Sequence, residues 1–116
     1  MRDEAAYKRA YRRSKRGRAK TLFNALRSRC SKKNTPFNLT LSWFERRLGY
    51  GKCEQTSIPF NFDYQPGRQR SPWAFSVDRI DRQKGYVVTN CQAVVWAYNA
   101  AKGEGTDQDV MTMAKA

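Results

Sequence analysis

The spacing of apolar residues changes character once along this chain, and that change restricts the fold more than any other feature. From Arg18 to about Lys33, Leu22, Phe23, Leu26 and Cys30 recur at helical spacing, while Lys20, Arg27, Arg29 and Lys32 occupy other faces. Asn34 to Pro36 breaks this helix. Phe37-Asn38-Leu39-Thr40 then leads into a second one, with Thr40 or Ser42 as N-cap and Ser42 to Glu45 matching a capping box. Leu41, Phe44 and Leu48 form its apolar face, and Gly49 to Gly51 ends it. Beyond Lys52 the texture turns to short β pieces, around Cys53, over Ile58 to Phe62 and over Ala74 to Asp78, with Tyr64 to Pro72 as a loop. Tyr86-Val87-Val88 reads as a strand that pairs back, followed by a helix from Asn90 or Cys91 to about Lys102 whose Val94, Val95, Trp96 and Tyr98 belong to the core. Thr106 to Asp109 is another capping box, opening a short helix through Met113.

This order predicts an α+β fold in a single domain: a basic helical N-terminal half packed on a small β-containing segment, with one core between them. The 116 residues suffice for one modest core and no second ordinary domain. The expected divisions are a basic arm over 1–17, helical or flexible, helices within 18–49, the β-containing segment over about 52–102, and a C-terminal helix over 106–114.

Charge placement narrows the function. Met1 to Lys33 holds thirteen Lys and Arg against Asp3 and Glu4, a net of +11, so only +2 of the total +13 belongs to the rest. A basic segment joined to a nearly neutral body suits a phosphate-seeking arm, because each cation that neutralises a phosphate releases a condensed counterion. Arg12, Arg13, Lys15, Arg16 and Arg18 are the arm's candidates for nucleic-acid contact, with Lys20 and Arg27 on the helix that follows. Arg68 and Arg70 join them from the loop, Lys84 from a polar turn and Lys102 from the end of the third helix. No run approaches the roughly 18 apolar residues of a membrane span. The charged amino terminus is unlike a signal peptide, so a soluble, cytoplasmic protein without a membrane partner is expected.

Cys30, Cys53 and Cys91 are odd in number and widely spaced, which argues against a disulfide framework and against structural zinc. With no histidine, the chain lacks the commonest general base.

The chemistry-bearing segment runs Ser76-Val77-Asp78-Arg79-Ile80-Asp81, Gly85-Tyr86, Thr89-Asn90 and Tyr98-Asn99-Ala100-Ala101-Lys102. Strand, acidic turn, glycine, strand and helix in this order resemble the finger of the HNH, or ββα-metal, endonuclease family, and in particular small phage-encoded HNH-like proteins with Asp-Arg in place of Asp-His. In such proteins a Cys near a Pro-Phe pair precedes the finger, as Cys53 and Pro59-Phe60 do here. The resemblance implies a two-stranded ribbon and a helix around one divalent metal. It places Asp78 and Asn99 on Mg²⁺ or Mn²⁺, Arg79 at the position of the catalytic histidine, Asn90 at the central Asn, and Lys102 at the lysine that often follows the last position by three residues.

Arginine cannot deprotonate water, because its guanidinium stays charged, but it can hold a phosphate. Asp81 is the nearest carboxylate for the role of base. Each residue also has an ordinary structural reading: an Asp78–Arg79 pair, Asp81 opening a turn, Asn90 capping a helix. Two functions follow from the resemblance. One is a divalent-metal-dependent endonuclease that cleaves DNA phosphodiester bonds without histidine. The other is a catalytically silent HNH-fold protein that binds DNA, or RNA as the second partner, in a regulatory role; a phage origin would place either in the host cytoplasm.

Overall fold

A computed structural model of the chain describes Asp3, Ala6, Lys15–Phe62 and Ser71–Lys115. The described residues form two compact units, one running up to Tyr50 and joined by Tyr86–Val88, the other made of Gly51–Gly85 and the chain from Thr89 onward.

The first unit contains α1 (Lys15–Lys32) and α2 (Leu41–Tyr50). Helix α1 buries Ala19, Leu26 and Cys30, the inner edge of its apolar stripe. It stops where Asn34 takes a left-handed φ of 53°, a conformation Asn tolerates better than most side chains. The Thr40 hydroxyl accepts from the Trp43 amide at 3.1 Å, so Thr40 is the N-cap of α2, and Ser42, the alternative, lies inside the helix. Trp43, Phe44 and Leu48 are buried from α2, and the Phe23 ring lies 5.9 Å from Phe44 and 5.8 Å from Phe37. Tyr86 is not a ribbon strand. It makes an isolated parallel bridge to Phe37, its amide donating to Pro36 O at 2.9 Å and its carbonyl accepting from Asn38 at 3.1 Å.

The second unit is built on an antiparallel ribbon of β1 (Phe75–Arg79) and β2 (Cys91–Val95), followed by α3 (Trp96–Lys102) and α4 (Asp107–Lys115). Phe75 faces Val95, Asp78 faces Gln92 and Arg79 faces Cys91. The returning strand therefore lies five residues later than the sequence suggests, and α3 begins at Trp96 rather than at Asn90 or Cys91. The cause is that all five residues of β2 are buried, so the run has no alternation to separate strand from helix. Its far edge is covered: Glu54 donates its amide to Ala93 O at 2.9 Å, and the Ala93 amide donates to the Glu54 carboxylate. Trp96, expected in the core, is 41% exposed, whereas Val94, Val95 and Tyr98 are buried.

The β pieces around Cys53 and over Ile58 to Phe62 reduce to one bridge between Lys52 and Pro59, closed by Cys53 N donating to Ile58 O at 2.9 Å. Phe60 packs edge-on against Phe75 at 5.0 Å. The described cysteines are all free and buried. At the end of α3, Gly103 adopts a φ of 50°, where a side chain would be strained. The Thr106–Asp109 capping box forms in both directions, Thr106 N to Asp109 Oδ2 at 2.9 Å and Asp109 N to Thr106 Oγ1 at 3.1 Å. No helix among the described residues is long and apolar enough to cross a membrane.

Candidate functional site

Asn90 precedes β2 and is buried beneath the turn that links the two halves of the ribbon. Its Oδ1 accepts from the Asp81 amide at 2.9 Å, and its Nδ2 donates to the carbonyls of Asp81 at 2.9 Å and Gly85 at 3.0 Å. One amide side chain thereby satisfies three backbone groups of a turn that has no ladder to satisfy them. The helix-capping reading of Asn90 does not apply, since a strand follows it.

Asp78 lies at the end of β1, and its burial requires a compensating partner. That partner is Lys102, from the last turn of α3: its Nζ donates to Asp78 Oδ2 at 2.7 Å, with both side chains no more than 5% exposed. Lys102 Nζ also donates to the Arg79 carbonyl at 3.1 Å and sits 3.4 Å from Asp107 Oδ1 at the start of α4. Gln92, facing Asp78 across the ribbon, donates its amide to Asp78 Oδ2 at 2.9 Å and to Asp107 Oδ1 at 3.2 Å. Its own Oε1 accepts from Gln55 at 2.7 Å, which fixes the orientation of the amide. The Tyr98 hydroxyl donates to Asp107, and burial together with that bond pushes its ionisation well above the usual phenol range.

Asn99 does not join this cluster. Its Nδ2 donates to Ser76 Oγ at 2.8 Å and to the Val77 carbonyl at 3.3 Å, clamping α3 against β1. Asp81 is exposed and forms an Asx turn, its Oδ1 accepting from the Gln83 amide at 2.9 Å. The Arg79 guanidinium is drawn back to its own turn, donating to the Lys84 carbonyl at 3.3 Å. Asp81 and Arg79 thus both contribute hydrogen bonds to the turn that follows β1.

These contacts test the divalent metal that the resemblance implies. A metal on Asp78 would share its carboxylate with a buried ammonium. Among the described residues no group of three or more His, Cys, Asp or Glu side chains is placed to hold a metal. As arranged, Asp78 is neutralised by Lys102, and Asn99 donates to Ser76 and the Val77 carbonyl.

Among the cations expected to meet nucleic acid, Lys20 and Arg27 are exposed on one face of α1, seven residues apart, with Arg27 stacked over Phe23 at 5.0 Å. Arg18 is half-buried and Lys84 is exposed. Lys102 is buried against Asp78 rather than exposed on the surface. Arg12, Arg13, Arg68 and Arg70 lie outside the described residues, as do the side chains of Lys15 and Arg16. Sequence reading missed Gln92 and Asp107. A glutamine inside the apolar run Cys91–Val95 was the available signal for the first; for Asp107, one of two acids in the opening turn of α4, no sequence signal was available.

No family model matches the chain, and no curated protein matches it. A solved structure of the rare-cutting HNH restriction endonuclease PacI is similar to it, with a TM-score of 0.60 and 18% sequence identity over 83% of this chain and 72% of that one. At this identity the likeness establishes architecture: the chain has an HNH-like α+β fold, with β1, β2 and α3 as its ββα finger.

Proposed function

We propose that this chain is a DNA-binding protein built on the HNH nuclease fold, with a finger that serves as scaffold and does not cut. The observation that carries this reading is the Lys102 ammonium seated 2.7 Å from the carboxylate that the resemblance assigns to the metal. Binding is supported by α1, which contains no acidic residue and exposes Lys20, Arg27, Arg29 and Lys32. DNA is favoured over RNA because the fold is that of a DNA-cleaving enzyme. The same likeness favours a second reading, a Mg²⁺- or Mn²⁺-dependent endonuclease using Asp78, Arg79, Asp81, Asn90 and Asn99.

One experiment separates the two. Purified protein is incubated with supercoiled plasmid and with single-stranded DNA in Mg²⁺, Mn²⁺ or EDTA, and the same mixtures are run in a gel shift. The expected outcome is retardation in all three conditions with the plasmid intact. Metal-dependent nicking that disappears in Asp78→Ala and Asn99→Ala variants would instead establish the endonuclease.

A further inference from the structure

We propose that α1 enters the major groove of duplex DNA, its two cationic flanks meeting phosphates on opposite walls of the groove and its outer face turned to the bases. This deepens the DNA-binding reading and rests on it. At about 100° per residue, Ala19, Leu26 and Cys30 fall along one line of the helix, and all three are buried. Lys20 and Arg27 stand on one side of that line and Arg29 on the other, roughly 170° away around the helix. These cations are exposed, and the 18-residue helix contains no acidic residue. A ligand with one row of phosphates would need one flank; cations on both suit a ligand with an anionic wall on each side.

The shape of the outer face, opposite the buried line, agrees with this charge pattern. It carries Thr21, Asn24, Ala25 and Ser28, all exposed and all short; a longer side chain, Lys32, approaches it only in the last turn. A helix with its side chains is about 10–12 Å across and the major groove of B-form DNA about 12 Å wide, so short side chains on the entering face let it reach the base edges. Ser, Thr and Asn are also side chains that hydrogen-bond those edges. The Asn24 amide is already oriented, its Oδ1 accepting from Arg27 Nη2 at 3.1 Å while Arg27 lies over the Phe23 ring at 5.0 Å. Asn24 Nδ2 is then the donor offered to a base acceptor. The deep, narrow major groove of A-form RNA does not admit a helix, so the same surface selects DNA.

The test measures binding of the full chain by fluorescence anisotropy to probes of one sequence. These are duplex DNA, the same duplex with glucosylated hydroxymethylcytosine in place of cytosine, which fills the major groove, and double-stranded RNA. Wild type is expected to bind the glucosylated duplex and the RNA at least about tenfold more weakly than plain duplex, the size of one lost base contact. Ser28→Tyr adds bulk without charge at an exposed position. It is expected to keep the wild-type melting temperature and to lose a similar factor on plain duplex. Arg29→Ala is expected to flatten the plot of log affinity against log salt by about 0.9, one phosphate contact on the flank away from Lys20 and Arg27. Equal affinity for plain and glucosylated duplexes, or for DNA and RNA, overturns the proposal while leaving nucleic-acid binding intact. A folded Ser28→Tyr protein with wild-type affinity, or an unchanged slope in Arg29→Ala, overturns it in the same way. Absence of binding to every probe overturns the proposal and the DNA-binding reading together.

Discussion

At the scale of single residues, the ribbon turn depends on Asn90. Its side chain makes three hydrogen bonds to backbone from a buried position, and each such bond contributes about 1 kcal/mol net. Asn90→Ala is therefore expected to cost about 3 kcal/mol, measured as a lower urea midpoint at unchanged slope. Asn90→Asp should be at least as damaging, because a carboxylate cannot donate to the carbonyls of Asp81 and Gly85 and repels both. The tie made by Asn90 is local in the chain, since the turn from Asp81 to Gly85 that it holds lies only a few residues before it. The contacts of Lys102 were not legible in the sequence, since its partners are drawn from residues 78, 79 and 107, and no local pattern announces that α4 will bring a carboxylate back to the end of α3. A lysine at the end of a basic chain's helix reads as a phosphate contact until its burial is known.

At the scale of elements, legibility followed alternation. Helices α1 and α2 carry polar residues on one side and apolar ones on the other, and their limits emerge from Asn34, Thr40 and Gly51. Strand β2 is buried on both faces, with only Gln92 polar, and a run without an exposed polar face carries no period. Helix α4 lies at the other extreme: it has no buried residue and is held by its capping box and by Asp107. Thr106→Ala should thus cost about 1 kcal/mol, the usual value of a lost N-cap. Because little else holds the helix, the effect is expected locally, as faster amide hydrogen exchange over Val110–Met113 with the ribbon amides unchanged. Equal acceleration in β2 would mean that α4 unfolds only with the whole second unit.

At the scale of the whole molecule, stability and the proposed DNA binding should depend on salt in opposite directions. A net charge of +13 on 116 residues repels itself in the compact state, so added salt should raise the melting temperature by screening. The same screening removes the entropy gained when condensed counterions leave DNA, so affinity should fall over the same range, with a slope of about −0.9 per phosphate neutralised. Lys20 and Arg27 contribute two of these charges from one exposed face of α1. If each neutralises a phosphate, Lys20→Ala/Arg27→Ala should flatten the plot of log affinity against log salt by about 1.8 and weaken binding to all sequences alike. Its own melting temperature should rise slightly at low salt, since two repelling charges are gone. A double variant that binds more weakly but keeps the wild-type slope would place the phosphate contacts elsewhere on the chain and remove α1 from the interface. Screening would then still account for the stability, because self-repulsion depends on the total charge, whereas the binding slope counts only the cations that touch phosphate.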